Sequence, residues 1–149
     1  MAGNTDFHAA LKTLQVRLVD AVNGYEEGAS LTESAHMKQV FHDLAAAHRT
    51  DADAISAMLL ERGETPDKDG SWFTLVHEAI MNVRSLVTGL GEDTLQPIAD
   101  GERRIEKLYD AAIEAADPAD RDLGALREKR ARVAARAAEL EADARAKSA

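Results

Sequence analysis

A glutamate stands in the middle of the apolar face of a predicted helix, where it is well placed for chemistry. The stretch Leu95–Ala116 carries apolar residues at helical spacing, namely Leu95, Ile98, Ile105, Tyr109, Ala112, Ile113 and Ala116. At ~100° per residue, Glu102 lies within roughly 20° of the centre of this face. A buried carboxylate is costly unless it is paired, protonated or bound to a cation. The sequence therefore predicts a buried partner for Glu102.

Polar residues on three other predicted helices are candidates for that partner. His48 lies at the centre of the apolar face of the second helix, and Asp51 lies one turn further on. Glu26 falls on the shoulder of the apolar face of the first helix. Arg130 interrupts the apolar face of the last helix. All four side chains are expected to project toward one interior, Glu26 from its edge.

Two arrangements of these residues are chemically reasonable. In the first, Arg130 pairs with Glu102. His48 then pairs with Glu26 or Asp51, and the buried polar network fixes the register of the helices. In the second, the side chains of His48, Glu26 and Glu102 bind one divalent cation, because imidazole with two carboxylates suits Zn²⁺, Fe²⁺ or Mn²⁺. The guanidinium of Arg130 opposes the charge of such a cation, so the sequence favours the network and predicts no cofactor.

Further polar residues add little to a catalytic interpretation. Tyr25 and Tyr109 are predicted to point inward, with their hydroxyls hydrogen-bonded to the carboxylates. His77, at the edge of a short third helix, is a candidate surface site. The sequence has no glycine-rich phosphate loop and no serine nucleophile at a strand-to-helix turn. It therefore predicts no catalytic residue.

Five helices are expected to position these residues. Apolar residues at helical spacing predict helices at about Thr5–Gly28, Leu31–Arg62, Trp72–Thr88, 93–116 and 118–144. Ser30 and Glu33 form a predicted capping box before the second helix, Gly63 is its predicted C-cap, and Asp117 with Pro118 marks the start of the last helix. Since the long helices are joined in pairs by few residues, the sequence predicts an all-α four-helix bundle of two antiparallel hairpins with a short crossover helix.

Composition narrows the classes of partner and location. A chain of 149 residues is long enough to bury a core and predicts one domain. Its net charge of -9 disfavours nucleic acid and anionic membranes as partners. The absence of cysteine, of a signal-type N-terminus and of an apolar run of ~20 residues predicts a cytoplasmic protein without a membrane span.

Four short motifs occur in order along the chain. They are GYEE at 24–27, RGE-x-P at 62–66, a helix with GS at 70–71, His77 and TG at 88–89, and a GE…Y motif at Gly101, Glu102 and Tyr109. Together they resemble a bacterial family of ferritin-like four-helix-bundle proteins, described as a domain of unknown function, over about residues 10–116. The resemblance implies a ferritin-like bundle, with the short helix in the crossover, and no established reaction.

The sequence departs from the di-iron members of the wider ferritin-like superfamily. Those proteins place a Glu on each of two helices and a Glu-x-x-His on each of the other two. Here Ala45 stands three residues before His48, and the last helix has no histidine. We therefore expect a non-enzymatic bundle that is stress-associated or acts through protein interaction, with a homodimer as its candidate assembly. The alternative is a mononuclear metal site at Glu26, His48 and Glu102.

Overall fold

The structure is a computed structural model that describes residues 2–66 and 92–148. Four α-helices occupy these ranges: α1 (Ala2–Leu31), α2 (Ala35–Glu61), α3 (Leu95–Ala115) and α4 (Leu123–Ser148), with a 3₁₀ turn at Glu92–Thr94 before α3. No strand occurs in these ranges, and none of the four helices combines the length and apolar character needed to cross a membrane. The short third helix predicted at 72–88, with Trp72 and His77, lies outside the described residues.

The four helices form two antiparallel hairpins. His8, near the start of α1, lies 3.3 Å from a carboxylate oxygen of Glu64, just beyond the end of α2. Arg103, in the first half of α3, pairs at 2.7 Å with Glu141, in the second half of α4. The hairpins are packed together, with α1 lying along α3. The all-α four-helix bundle that the apolar periodicity predicts is thus confirmed.

The second helix ends at the end of the bundle opposite to the one where α3 begins. Arg62, at the end of α2, binds Asp120 in the loop between α3 and α4. Met37 and Phe41, near the start of α2, pack in one cluster with Leu95 at the start of α3. The helices α2 and α3 therefore run in the same direction, with the end of α2 and the start of α3 at opposite ends of the bundle.

Two apolar clusters fill the bundle, one toward each end. The first contains Phe7, Leu11, Leu14, Leu18, Ala52, Ile55, Met58, Leu59, Ile105, Tyr109, Ala112, Leu126 and Val133, and the second contains Ala29, Met37, Phe41, Leu44, Leu95, Ile98, Ala99 and Leu140. His48 lies between Leu44 and Ala52 along α2, and Glu102 lies between Ala99 and Ile105 along α3. The buried pair of His48 and Glu102 therefore lies between the two apolar clusters.

The second helix begins later than the sequence predicts. The capping box expected at Ser30 does not form, because α1 continues to Leu31 and the Ser30 hydroxyl donates to the Glu27 carbonyl at 2.8 Å. Ser34 caps α2 instead, where its hydroxyl accepts a hydrogen bond of 3.1 Å from the Met37 amide. A serine at the N-cap satisfies an amide that has no partner within the helix.

The end of α2 agrees with the prediction. Gly63 has a φ of 77°, which a glycine adopts without steric cost. Its amide donates to the Leu60 carbonyl at 3.1 Å, and the Glu64 amide donates to the Leu59 carbonyl at 2.9 Å. These two bonds are the Schellman motif that ends a helix at glycine. The predicted C-cap at Gly63 is thus confirmed.

The last helix begins at Leu123 and not at Pro118. The Asp117 carboxylate accepts a hydrogen bond from the Ala119 amide at 2.8 Å, and the Asp120 carboxylate accepts one from the Asp122 amide, also at 2.8 Å. Aspartates that bond the backbone two residues on form turns in place of a helix. The predicted start at Asp117 and Pro118 is therefore wrong by about one helical turn.

The helices α1 and α2 approach closely at Gly28. A Cβ atom at this position would lie 3.0 Å from Cε1 of Phe41. We expect Gly28→Ala to destabilise the protein by about 1 kcal/mol, because overpacking costs roughly 1–3 kcal/mol and outweighs the better helix propensity of alanine. Urea unfolding measures the change. Gly124→Ala is the matched control, since a Cβ there meets nothing within 4 Å, and a Gly28 variant as stable as that control would contradict the close approach.

Candidate functional site

Glu102 is fully buried between the two apolar clusters. Its Oε2 accepts a hydrogen bond from the Tyr25 hydroxyl at 2.8 Å, and it lies 2.8 Å from Nε2 of His48. His48 is also fully buried, and its ring stacks on the Tyr25 ring with the centroids 6.0 Å apart. Side chains from α1 and α2 thus meet at one oxygen of a carboxylate on α3.

The other oxygen of Glu102 faces the fourth helix. Oε1 lies 3.7 Å from Nε of Arg136, which is too long for a hydrogen bond but close enough for ionic attraction. Neither atom has a hydrogen-bond partner within the described ranges. Each of the four helices therefore contributes one residue to a central cluster, which consists of Tyr25, His48, Glu102 and Arg136.

The carboxyl group of Glu102 is ionised at neutral pH. Burial alone would raise its pKa, but the hydrogen bond and charge of His48, the hydrogen bond of Tyr25 and the charge of Arg136 bring the pKa below the ordinary value of 4.5. Burial and the charge of Glu102 raise the pKa of Tyr25 well above 10.0. Tyr25 is therefore the proton donor in its hydrogen bond with Glu102.

A second buried carboxylate lies one turn further along α2. Oδ1 of Asp51 is 3.3 Å from Nζ of Lys129 and 3.9 Å from Nη2 of Arg132. The hydroxyl of Tyr109 is buried near this carboxylate. Burial and the charge of Asp51 raise the pKa of Tyr109. Both buried carboxylates are thus compensated by cations of α4.

Glu26 lies away from this cluster. Its side chain is 45% exposed and forms an ion pair with Arg49 on the surface of the first hairpin. His48 does not pair with Glu26 or with Asp51, as the sequence suggested, because Glu102 occupies its Nε2. The three-ligand set of Glu26, His48 and Glu102 is consequently not brought together.

The cation near Glu102 is Arg136 and not Arg130. Arg130 binds Asp110 at 2.8 Å and Glu106 at 3.0 Å, both on α3. The predicted pair of Arg130 with Glu102 is therefore not formed. The sequence does indicate a row of cations on the side of α4 that carries Arg136. Lys129, Arg132 and Arg136 recur there at a spacing of three and four residues.

Two of the three predicted metal ligands, His48 and Glu102, meet in the central cluster. Within residues 2–66 and 92–148, no group of three or more His, Cys, Asp or Glu side chains is arranged to bind a metal ion. His48 and Glu102 supply two ligand groups, and the guanidinium of Arg136 lies beside the second oxygen of Glu102. A positive charge at that distance opposes a bound cation.

Acid is expected to remove the stability that Glu102 contributes. Because its pKa is lower in the folded chain than the ordinary 4.5, this contribution is complete above the unfolded pKa and is lost as pH falls through the folded pKa. We expect wild type to lose more free energy of unfolding between about pH 5 and pH 3 than Glu102→Gln loses. Urea unfolding across this range tests the expectation, and parallel curves for the two proteins would refute it.

Comparison with curated proteins and with solved structures gives no match. One family model, described as "Domain of unknown function (DUF2383)", matches residues 6–115. The matched range covers α2, α3 and most of α1, including Tyr25, His48 and Glu102, whereas Arg136 lies beyond it. Because the match covers most of the sequence, the chain belongs to this family, the domain of unknown function DUF2383.

Proposed function

We propose that the chain is a non-enzymatic helical-bundle protein whose central cluster fixes the packing of the four helices. The observation that carries this proposal is that Glu102 has no exposed surface and meets one side chain from each of the other three helices. A displaced or rotated helix would leave a buried charge without its partner, which is strongly destabilising. The two apolar clusters, by contrast, tolerate alternative packing more readily.

The proposal includes a ferritin-like arrangement of the helices. Bundles of that type have one long crossover connection between two hairpins. The parallel directions of α2 and α3, which follow from the positions of Arg62 and Leu95, support such a connection. The central cluster then stands where related bundles carry their metal-binding carboxylates, with His48 and Arg136 in place of a full set of ligands.

We propose protein interaction, in a stress-associated setting, as the role, with a second copy of the chain as the first partner to test. In support, α4 carries exposed alanines at helical spacing, namely Ala131, Ala135, Ala138 and Ala142. Small side chains allow two helices to approach closely. Sedimentation at a series of concentrations tests the proposal, with Ala135→Arg expected to abolish a dimer. A monomer at all concentrations would reject self-association and leave other proteins as partners.

A mononuclear metal site is the second candidate function. It is favoured by the contact of His48 with Glu102, which brings an imidazole and a carboxylate together in the core of the bundle. The proximity of Arg136 to Oε1 is the reason that we rank this candidate second.

We expect the purified, untagged protein to contain no stoichiometric metal. Its melting temperature is expected to stay unchanged in excess Zn²⁺, Mn²⁺ or anaerobic Fe²⁺, because Arg136 already provides the cation beside Glu102. A rise in melting temperature that disappears in His48→Ala and persists in His42→Ala would instead establish the metal site. His42 is the matched control because it is an exposed histidine of the same helix.

A further inference from the structure

The two tyrosines of the chain differ in their access to a base. Tyr25 is partly exposed, and its hydroxyl donates a 2.8 Å hydrogen bond to the buried carboxylate of Glu102. Tyr109 is fully buried, and Asp51, the carboxylate near its hydroxyl, is paired with Lys129. The chain contains no other tyrosine and one tryptophan, Trp72.

This difference favours Tyr25 as the tyrosine that gives up an electron. A phenol that loses one electron becomes a strong acid, so its proton has to leave with the electron. A base in hydrogen-bond contact accepts that proton without any rearrangement. We propose that Tyr25 is a redox-active tyrosine, which reduces one-electron oxidants of the radical class and passes its hydroxyl proton to Glu102.

The electron and the proton that leave Tyr25 each have an acceptor. The O–H bond of Tyr25 breaks, its electron passes to the oxidant, and its proton forms a new O–H bond at Oε2 of Glu102. The products are a neutral tyrosyl radical, a neutral carboxylic acid and the reduced oxidant. When a thiolate or another one-electron donor reduces the radical, the proton returns from Glu102 to Tyr25.

The surroundings of Glu102 favour this transfer in two ways. The carboxyl group is ionised at neutral pH, so it is free to accept a proton. His48 also contacts the accepting oxygen, at 2.8 Å, and holds the carboxylate in place. The base is therefore already oriented before oxidation.

The exposure of the two tyrosines points to the same residue. Tyr25 keeps some surface in contact with solvent, whereas no surface of Tyr109 is exposed. Asp51, the carboxylate that acts on the Tyr109 hydroxyl, is already engaged by Lys129. Tyr109 thus serves as a matched control in the same protein.

The experiment uses flash photolysis with a ruthenium(III) tris-bipyridine oxidant generated in solution. All measurements use the Trp72→Phe variant, so that the two tyrosines are the only side chains with a phenol or an indole. The tyrosyl radical is followed by transient absorption and by electron paramagnetic resonance. We expect Tyr25→Phe to remove most of the radical and Tyr109→Phe to retain it. Formation should also be slower in D₂O than in H₂O, because the proton moves with the electron.

Substitution of the base gives a second test. We expect Glu102→Gln to slow radical formation by about 100-fold, the lower range of what a positioned base contributes. Glu106→Gln, one turn further along α3, is expected to leave the rate unchanged. Equal losses of radical in Tyr25→Phe and Tyr109→Phe, a rate without a solvent isotope effect, or equal rates in the two glutamate variants would each overturn the proposal. Melting and sedimentation, which test the packing and interaction roles, are independent of these readouts.

Discussion

Replacing Glu102 with alanine is expected to lower the free energy of unfolding by about 3–5 kcal/mol, since removing one partner of a buried ion pair leaves the others unpaired. His48 and the Tyr25 hydroxyl would lose their shared acceptor, and Arg136 would lose the charge near its Nε. For a chain of this length the change corresponds to a fall in melting temperature of roughly 6–20 °C. Urea unfolding and calorimetry measure the two quantities.

Glu106 provides the control for this substitution. It lies one turn along the same helix and pairs with Arg103 and Arg130, both of which are more than one third exposed. Surface ion pairs contribute little, so Glu106→Ala is expected to have a much smaller effect. If the two alanine variants lose equal stability, the central cluster does not determine the packing of the helices, and the proposed structural role is wrong.

The sequence was sufficient to find the buried members of this cluster. Glu102 and His48 each interrupt an otherwise apolar helical face, and periodicity alone shows that such a position is buried. The same argument identified the apolar face of α1, whose residues Phe7, Leu11 and Leu14 are buried in the structure. The buried positions of a single helix can thus be predicted from the sequence of that helix.

The same argument does not identify the cation that compensates the charge of Glu102. Arg130 and Arg136 lie on opposite flanks of the apolar face of α4, at similar distances from Val133 along the chain. In the structure, the flank with Arg130 meets carboxylates on α3, and the flank with Lys129 meets Asp51 on α2. Which flank meets which helix depends on how the two hairpins are packed, and no local pattern encodes that choice.

The helix starts show a similar limit. Ser30 and Ser34 both carry hydroxyls suited to capping, and the structure uses Ser34 because α1 extends through Ser30. Pro118 follows Asp117 in a pattern typical of a helix start. The chain nevertheless turns until Leu123, and the carboxylates of Asp120 and Asp122 bind Arg62 on α2. A contact between distant parts of the chain prevails there over a local signal.

The ion pairs of Arg62 with Asp120 and Asp122 lead to the second large effect expected on stability. Replacing Arg62 with alanine is expected to lower the free energy of unfolding by about 2–4 kcal/mol, because partly buried, bidentate ion pairs are the strong ones. Its guanidinium bonds both oxygens of Asp120 at 2.8 and 2.9 Å and Asp122 at 2.7 Å. It also donates to the Met58 carbonyl at 3.1 Å and lies 5.0 Å from the centroid of the Phe7 ring. Urea unfolding measures the loss.

Two further variants separate geometry from charge. Arg62→Lys keeps the charge but loses the planar fork that bonds two oxygens at once, so it is expected to recover only part of the stability. Arg121→Ala is the surface control, because its pair with Glu61 joins two side chains that are more than half exposed, and it is expected to leave the stability nearly unchanged. Full recovery in Arg62→Lys would show that charge alone joins the two hairpins at this end. A loss in Arg62→Ala no larger than in Arg121→Ala would show that the apolar clusters hold the loop without Arg62.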